Sequence, residues 1–154
     1  MGNERKVLAG PSRIHGTCPA GHQVGDELVI DGMEVRALKG PLCYVALSAF
    51  TCQVTQIQRG RATNHLSCPG CVSDDGQQNR VVFVLSREDA WDLSRKYSAY
   101  NWARIDGRAT EASEDHCSRC WTYTQAGDYA RAEREIEQAI AAMSGGESRG
   151  WRER

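Results

Sequence analysis

Val81-Val82-Phe83-Val84-Leu85 is the stretch from which the fold is read. Five consecutive apolar residues predict a strand covered on both faces rather than a half-wet one. Working upstream, Asp74-Asp75-Gly76 and Cys68-Pro69-Gly70-Cys71 read as tight turns. Before them, Leu42, Ala46, Ala49, Phe50 and Val54 recur at three- and four-residue spacing, which predicts a helix opening after Gly40-Pro41 and stopping at Gly60. Leu28-Val29-Ile30, bounded by Gly25-Asp26-Glu27 and the turn pair Asp31-Gly32, predicts a second strand. A further strand is expected over residues 13–17, after a polar lead-in over 1–12.

Downstream, Ser86 and Asp89 fit an S-x-x-D capping pattern at the start of a helix over 87–102. That helix holds Trp91, Tyr97, Tyr100 and Trp102. Residues 106–115 read as polar loop. A last helix over 126–143 places Tyr129, Ile136, Ile140 and Met143 on one stripe. Ser144-Gly145-Gly146 ends it, and 144–154 reads as a mobile tail. The expected fold class is α+β. A small domain over 13–87 has a short antiparallel sheet and one packed helix, and a metal-stapled helical extension follows over 88–143.

The staple is expected because the core is thin. Leu, Ile, Val and Phe together number 26, or 17 % of the 154 residues. A formal net charge of −1 with four Trp and five Tyr argues against wholesale disorder. A chain with so little interior usually needs cross-links or metal. No apolar run approaches the ~20 residues that span a bilayer, and the first residues lack a secretory pattern. The expectation is therefore a cytoplasmic protein, where cysteines serve more often as metal ligands or reactive thiols than as disulfides. Nineteen basic against twenty acidic residues give no general polyanion binder, although Arg59, Arg61 and Arg80 form a local basic group.

Seven cysteines and four histidines supply the candidate ligands. Cys68–Cys71 and Cys117–Cys120 are both C-x-x-C elements. Two intervening residues let a turn offer both sulfurs to one ion at about 2.3 Å. The first expectation is a four-thiolate zinc site from Cys68, Cys71, Cys117 and Cys120, in a metal-binding accessory protein whose C-terminal helices meet a protein partner. Cys18, His22 and Cys43 form a candidate second site, with Cys43 at a helix start where a thiolate is favoured. Four cysteines equally suit a [4Fe–4S] cluster, which gives an electron-transfer alternative. A third alternative is a metal- or thiol-dependent enzyme using Cys18, His22 and Cys43, with Asp26 beside them. Cys52 reads as a small buried hydrophobe, His65 as a neighbour of the Cys68 turn, and His116 as solvent-exposed.

The segment Gly16-Thr17-Cys18-Pro19-Ala20-Gly21-His22-Gln23-Val24-Gly25-Asp26-Glu27 resembles a family of small, uncharacterised bacterial cysteine proteins with a C-P-x-G-H-x-x-G-D-E element. Pro41-Leu42-Cys43 and Cys68-Pro69, followed by Val82-Phe83-Val84-Leu85, resemble its later elements. The likeness covers residues 13–87 and carries no activity. It implies that Cys18, Cys43 and Cys68 converge as a metal or cluster site, which groups Cys71 with them instead of with Cys117 and Cys120. Cys71 and the second C-x-x-C are departures from that pattern. More weakly, Cys117-Ser118-Arg119-Cys120-Trp121 resembles the zinc knuckle of some aminoacyl-tRNA synthetases and repair glycosylases. Residues 127–139 resemble one helix of a tetratricopeptide repeat, but without a second copy they read as an ordinary amphipathic helix.

Overall fold

The computed structural model describes residues 6–60, 63–72 and 75–143. The chain is α+β and forms two compact units, Met1–Trp91 and Asp92–Arg154. The first holds six strands: β1 (Lys6–His15), β2 (Glu27–Asp31), β3 (Glu34–Lys39), β4 (Thr63–Ser67), β5 (Cys71–Val72) and β6 (Gln78–Arg87). One helix, α1 (Tyr44–Gln58), lies between β3 and β4 in sequence. The sheet order is β3-β2-β1-β6-β4, with every pairing antiparallel and β5 added to β6.

The apolar run at 81–85 sits in β6, and β6 is flanked on both edges by β1 and β4. Side chains alternate across a strand. Val81, Phe83 and Leu85 therefore join Val7, Ala9, Leu28 and Ile30 on one face. Ala46, Phe50, Val54 and Ile57 of α1 fill that face, with the Phe50 and Phe83 rings edge to face at 5.0 Å. Val84, on the opposite face, is also buried, so the strand is covered on both sides as its composition predicts.

Three elements differ from expectation. First, β1 begins at Lys6, inside the stretch read as a polar lead-in, because Val7 and Ala9 point into the core; residues 1–5 lie outside the described residues. Pro11 hides the strand, yet it sits at the register shift against β6 and beyond the β2 pairing, which ends at Ala9. Bulges are where a sheet tolerates a missing N–H. Second, β3 and β4 are edge strands too exposed or too polar to show an apolar pattern. Third, Ser86 caps no helix. Its hydroxyl donates to the Arg87 carbonyl at 2.9 Å, β6 continues to Arg87, and a 3-10 turn over Glu88–Ala90 precedes the helix.

The second unit is built on three helices: α2 (Trp91–Ile105), which opens at the boundary, α3 (Glu111–Gln125) and α4 (Tyr129–Ala141). α3 and α4 form a hairpin around Gly127, whose φ of 76° suits a residue without Cβ. Leu93, Tyr100, Cys117, Cys120, Ala132, Ile136 and Ala139 make the core, with Tyr129, Ile140 and Met143 packed against it. Burial by itself would lower the Lys96 ammonium, but Glu133 and Glu137 both accept hydrogen bonds from it and raise its pKa. The polar segment 106–115 is helical from Glu111. Its start is set by a capping box, in which Thr110 Oγ1 accepts from the Ser113 N–H and Ser113 Oγ accepts from the Thr110 N–H. The expected tail at 144–154 lies outside the described residues. Among the described residues no helix is long and apolar enough to cross a membrane.

The cap gives a stability test. Thr110 Oγ1 both accepts from Ser113 and donates to the Ala142 carbonyl at 2.8 Å. Thr110→Ala should therefore cost about 1–2 kcal/mol, read from the urea midpoint of the helical circular-dichroism signal. An unchanged midpoint would mean that the cap is idle.

Candidate functional site

Several segments of the first unit meet at one cavity of about 240 Å³, and three of them bring cysteines to it. One brings Cys18, one Cys43, and one turn brings both Cys68 and Cys71. The candidate second site (Cys18, His22, Cys43) and half of the candidate first site (Cys68, Cys71) thus line the same space. All seven cysteines are free thiols.

Local chemistry explains each placement. Cys18 follows β1 in a turn closed by the Gly21 N–H, which donates to the Cys18 carbonyl at 2.9 Å. The turn is fixed to β6 by Asn79, a buried residue whose Oδ1 accepts from the Thr17 N–H at 2.8 Å. Gly16 makes that approach possible: a Cβ there would lie 2.3 Å from Asn79 Oδ1. Asp26 closes the same loop by accepting from the Gln23 N–H at 2.9 Å. Gly40 packs so closely on the Asp26 carboxylate that a Cβ would meet it at 2.3 Å. Asp26 therefore organises the loop structurally.

Cys43 is the N-cap of α1, as the sequence predicts, and its carbonyl accepts from the Leu47 N–H at 3.0 Å. Cys43 thus sits at the N-terminal end of α1. Cys68 leaves β4 and exchanges two bonds with Val81 of β6. Its N–H donates to the Val81 carbonyl at 2.9 Å, and its sulfur accepts from the Val81 N–H at 3.2 Å. Cys71 opens β5 opposite Asn79. The turn between them needs Gly70, which has a φ of 93° and packs 3.1 Å from the Asn79 carbonyl, measured from a built Cβ.

His22 completes the lining. It is 6 % exposed, and its ring meets Phe83 edge to face at 5.3 Å. Neither Nδ1 nor Nε2 has a hydrogen-bond partner among the described residues. Burial lowers its pKa, and the Asp26 charge offsets part of that. The walls are otherwise largely apolar, with Val45, Ala46, Val81 and Phe83 facing in and Arg80 at the side. Among the described residues no three Cys, His, Asp or Glu side chains are grouped as the ligands of a single metal ion.

Cys117 and Cys120 have different surroundings. They are not on a turn but three residues apart on α3, where both sink into the helical core. Burial pushes the Cys117 thiol up, partly offset by the Tyr97 hydroxyl. It pushes Cys120 up to about 11. Cys52 is exposed rather than buried, and His65 faces outward from β4 opposite Val84. His116 is not free in solvent: its Nδ1 lies 2.7 Å from Glu135 Oε2, which also accepts from Arg119. Arg61 lies outside the described residues. Asn79 and the Val81 N–H are the contributors that sequence reasoning misses. The pair of glycines at 16 and 70 that close on Asn79 is a signal of it, visible only once the strands are paired.

The thiol environments differ enough to measure. Because the folded helical unit binds the Cys120 proton more tightly than the unfolded chain does, it gains stability below the ordinary thiol range. That gain disappears as pH rises toward about 11. Alkylation of the native protein should reach Cys52 at mildly alkaline pH and Cys120 only well above it, as read by mass spectrometry. Cys120→Ala should flatten the loss of helix stability over the same alkaline range. Equal labelling of the two thiols at pH 8 would refute the assignment. No protein-family model matches the chain, and no curated protein or solved structure matches it either.

Proposed function

We propose that the first unit is a metal-carrying module in which Cys18, Cys43, Cys68 and Cys71 hold an iron–sulfur cluster, and that the chain is a small cluster-binding protein. One observation supports this above the others. Four thiols from three segments of the chain, Cys18, Cys43 and the Cys68–Cys71 turn, line a single cavity. A single zinc ion draws its four sulfurs to about 2.3 Å from a common centre. A cluster of several irons takes its four cysteines at its own periphery and requires a space between them.

The residues present suit such an occupant. The Val81 N–H donates to the Cys68 sulfur, and Cys43 is the N-cap of α1. The walls around the sulfurs are largely apolar. When bound, the cluster supplies one-electron storage. Its ligation also ties the ends of β1, α1, β4 and β5 together, which is the staple that a thin core calls for.

Zinc is the second reading, favoured by the Cys68-Pro69-Gly70-Cys71 turn, which presents two sulfurs from adjacent positions. A site of Cys68, Cys71, Cys117 and Cys120 would have to draw the last two, both on α3, out of the apolar core of the helical unit.

Anaerobic purification separates the readings. The cluster predicts brown protein, with iron and acid-labile sulfide in equal amounts, that bleaches with dithionite. Cys18→Ser, Cys43→Ser and Cys68→Ser should each lose at least half the iron, while Cys117→Ser and Cys120→Ser keep it. Colourless protein with stoichiometric zinc, lost in Cys117→Ser but retained in Cys18→Ser, would replace the cluster with the two-knuckle site. Protein with neither metal would end both readings.

A further inference from the structure

We infer that two copies of this chain join through β3, the strands running antiparallel about a two-fold axis at Val35, so that the sheet of one copy continues into the other. This stands apart from whatever the four-cysteine cavity holds. β3 is an end of the sheet: it pairs with β2 on one side and with no strand on the other among the described residues. Five of its six residues are exposed. An edge of that kind presents N–H and C=O groups to which another strand can pair.

The charges on β3 say which strand fits. Val35 pairs with Ile30 and packs on the core under α1, so Glu34 and Arg36 face the other way. Glu34 stands directly opposite Asp31 of β2, and like charges so placed destabilise a sheet. Lys6 of β1 stands opposite Asp31 on its other side, and also reaches Glu88 at 3.9 Å. Across the sheet the row therefore reads Lys6, Asp31, Glu34, and the next position outward suits a cation. The next row on the same face reads Leu8, Val29, Arg36, and its outward position suits an anion. Neither Glu34 nor Arg36 has an ion-pair partner among the described residues.

A second β3 supplies both charges. With the axis at Val35, Arg36 of the second copy comes opposite Glu34, and Glu34 of the second copy comes opposite Arg36. Val35 meets its own image at the centre, and the fully exposed Met33 comes opposite Ala37. An axis at Arg36 instead sets two guanidinium groups against each other, and one at Ala37 sets Val35 opposite Lys39. Charged residues on an edge strand ordinarily guard it against pairing. Here the two signs flank a central valine, so self-pairing is attractive in one register and repulsive in the next.

The test is sedimentation velocity of the full chain across the micromolar range. The native protein should pass from one chain to two as concentration rises, and more readily at low salt. Glu34→Arg and Arg36→Glu each turn two attractive cross-strand pairs into repulsive ones, so each alone should weaken self-association by about tenfold or more. Mixed together, the two variants set opposite charges at both pairs, and association should return between unlike chains. A native protein that stays a single chain throughout would overturn the inference, and the charges would then be a guard on the edge. Dimers that neither variant weakens would overturn it by placing the contact elsewhere, and variants that stay single when mixed would overturn the register. Should a variant lose its fold by circular dichroism, amide hydrogen exchange of the native chain decides the matter. Residues 33–37 should gain protection as concentration rises, and exchange there that is independent of concentration would overturn the inference.

Discussion

The pairing of β6 on both of its edges is the constraint from which the rest of the first unit follows. β1 fixes one edge over residues 7–15 and β4 fixes the other over residues 63–67. Because the strand cannot slide against two neighbours, its alternation is locked: Val81, Phe83 and Leu85 face α1, and a one-residue slip would turn all three outward. The same lock sets the cavity. Asn79, Val81 and Phe83 belong to β6 and reach the Cys18 turn, the Cys68 sulfur and the His22 ring respectively. A strand that holds the core in its middle and three site contacts at one end couples the two physically. Disorder at that end of β6 would loosen the Cys18 and Cys68 segments together.

Small residues do much of the packing. Ala9 and Ala46 are buried in the first unit, as are Ala132 and Ala139 in the second. They let strands and helices approach closely where bulky aliphatic side chains are few. Glycines act similarly on the site side: Gly10, opposite Val84, leaves room for the Asp26 carbonyl, and Gly40 for its carboxylate. The G-H-x-x-G-D-E stretch is thus mostly architecture. Among the described residues, the ring nitrogens of His22 have no hydrogen-bond partner.

What can be read in advance follows from how strongly each residue's role is local. The 81–85 strand, the 28–30 strand, α1 with Cys43 at its start, and the last helix all follow from patterns within a dozen residues. The first half of β1 escapes such patterns because Pro11 reads as a break until its bulge is seen. β3 and β4 carry little apolar signal, since edge strands gain their order from partners chosen elsewhere in the chain. The capping pattern at Ser86 fails for the same reason: β6 extends to Arg87 because β1 pairs with it that far. For the site, spacing alone makes the two C-x-x-C elements equivalent. The spacing is shared, but the backbone under it is not.

That difference bears on how the thiols can act. At Cys68 and Cys71 the two intervening residues form a turn between β4 and β5, at the edge of a cavity, with a backbone N–H aimed at one sulfur. At Cys117 and Cys120 they form most of one helical turn, and both side chains pack among Tyr100, Ala132 and Ile136. Burial with little counter-charge holds a thiol protonated and inert, whereas a helix N-terminus or an aimed N–H favours the thiolate that binds metal. The chain thus keeps the same motif in two electrostatic settings. In the first unit four cysteines line a cavity, and in the second the pair packs within the helical core. The place where several sulfurs face one cavity is accordingly the Cys18, Cys43, Cys68 and Cys71 end of the first unit.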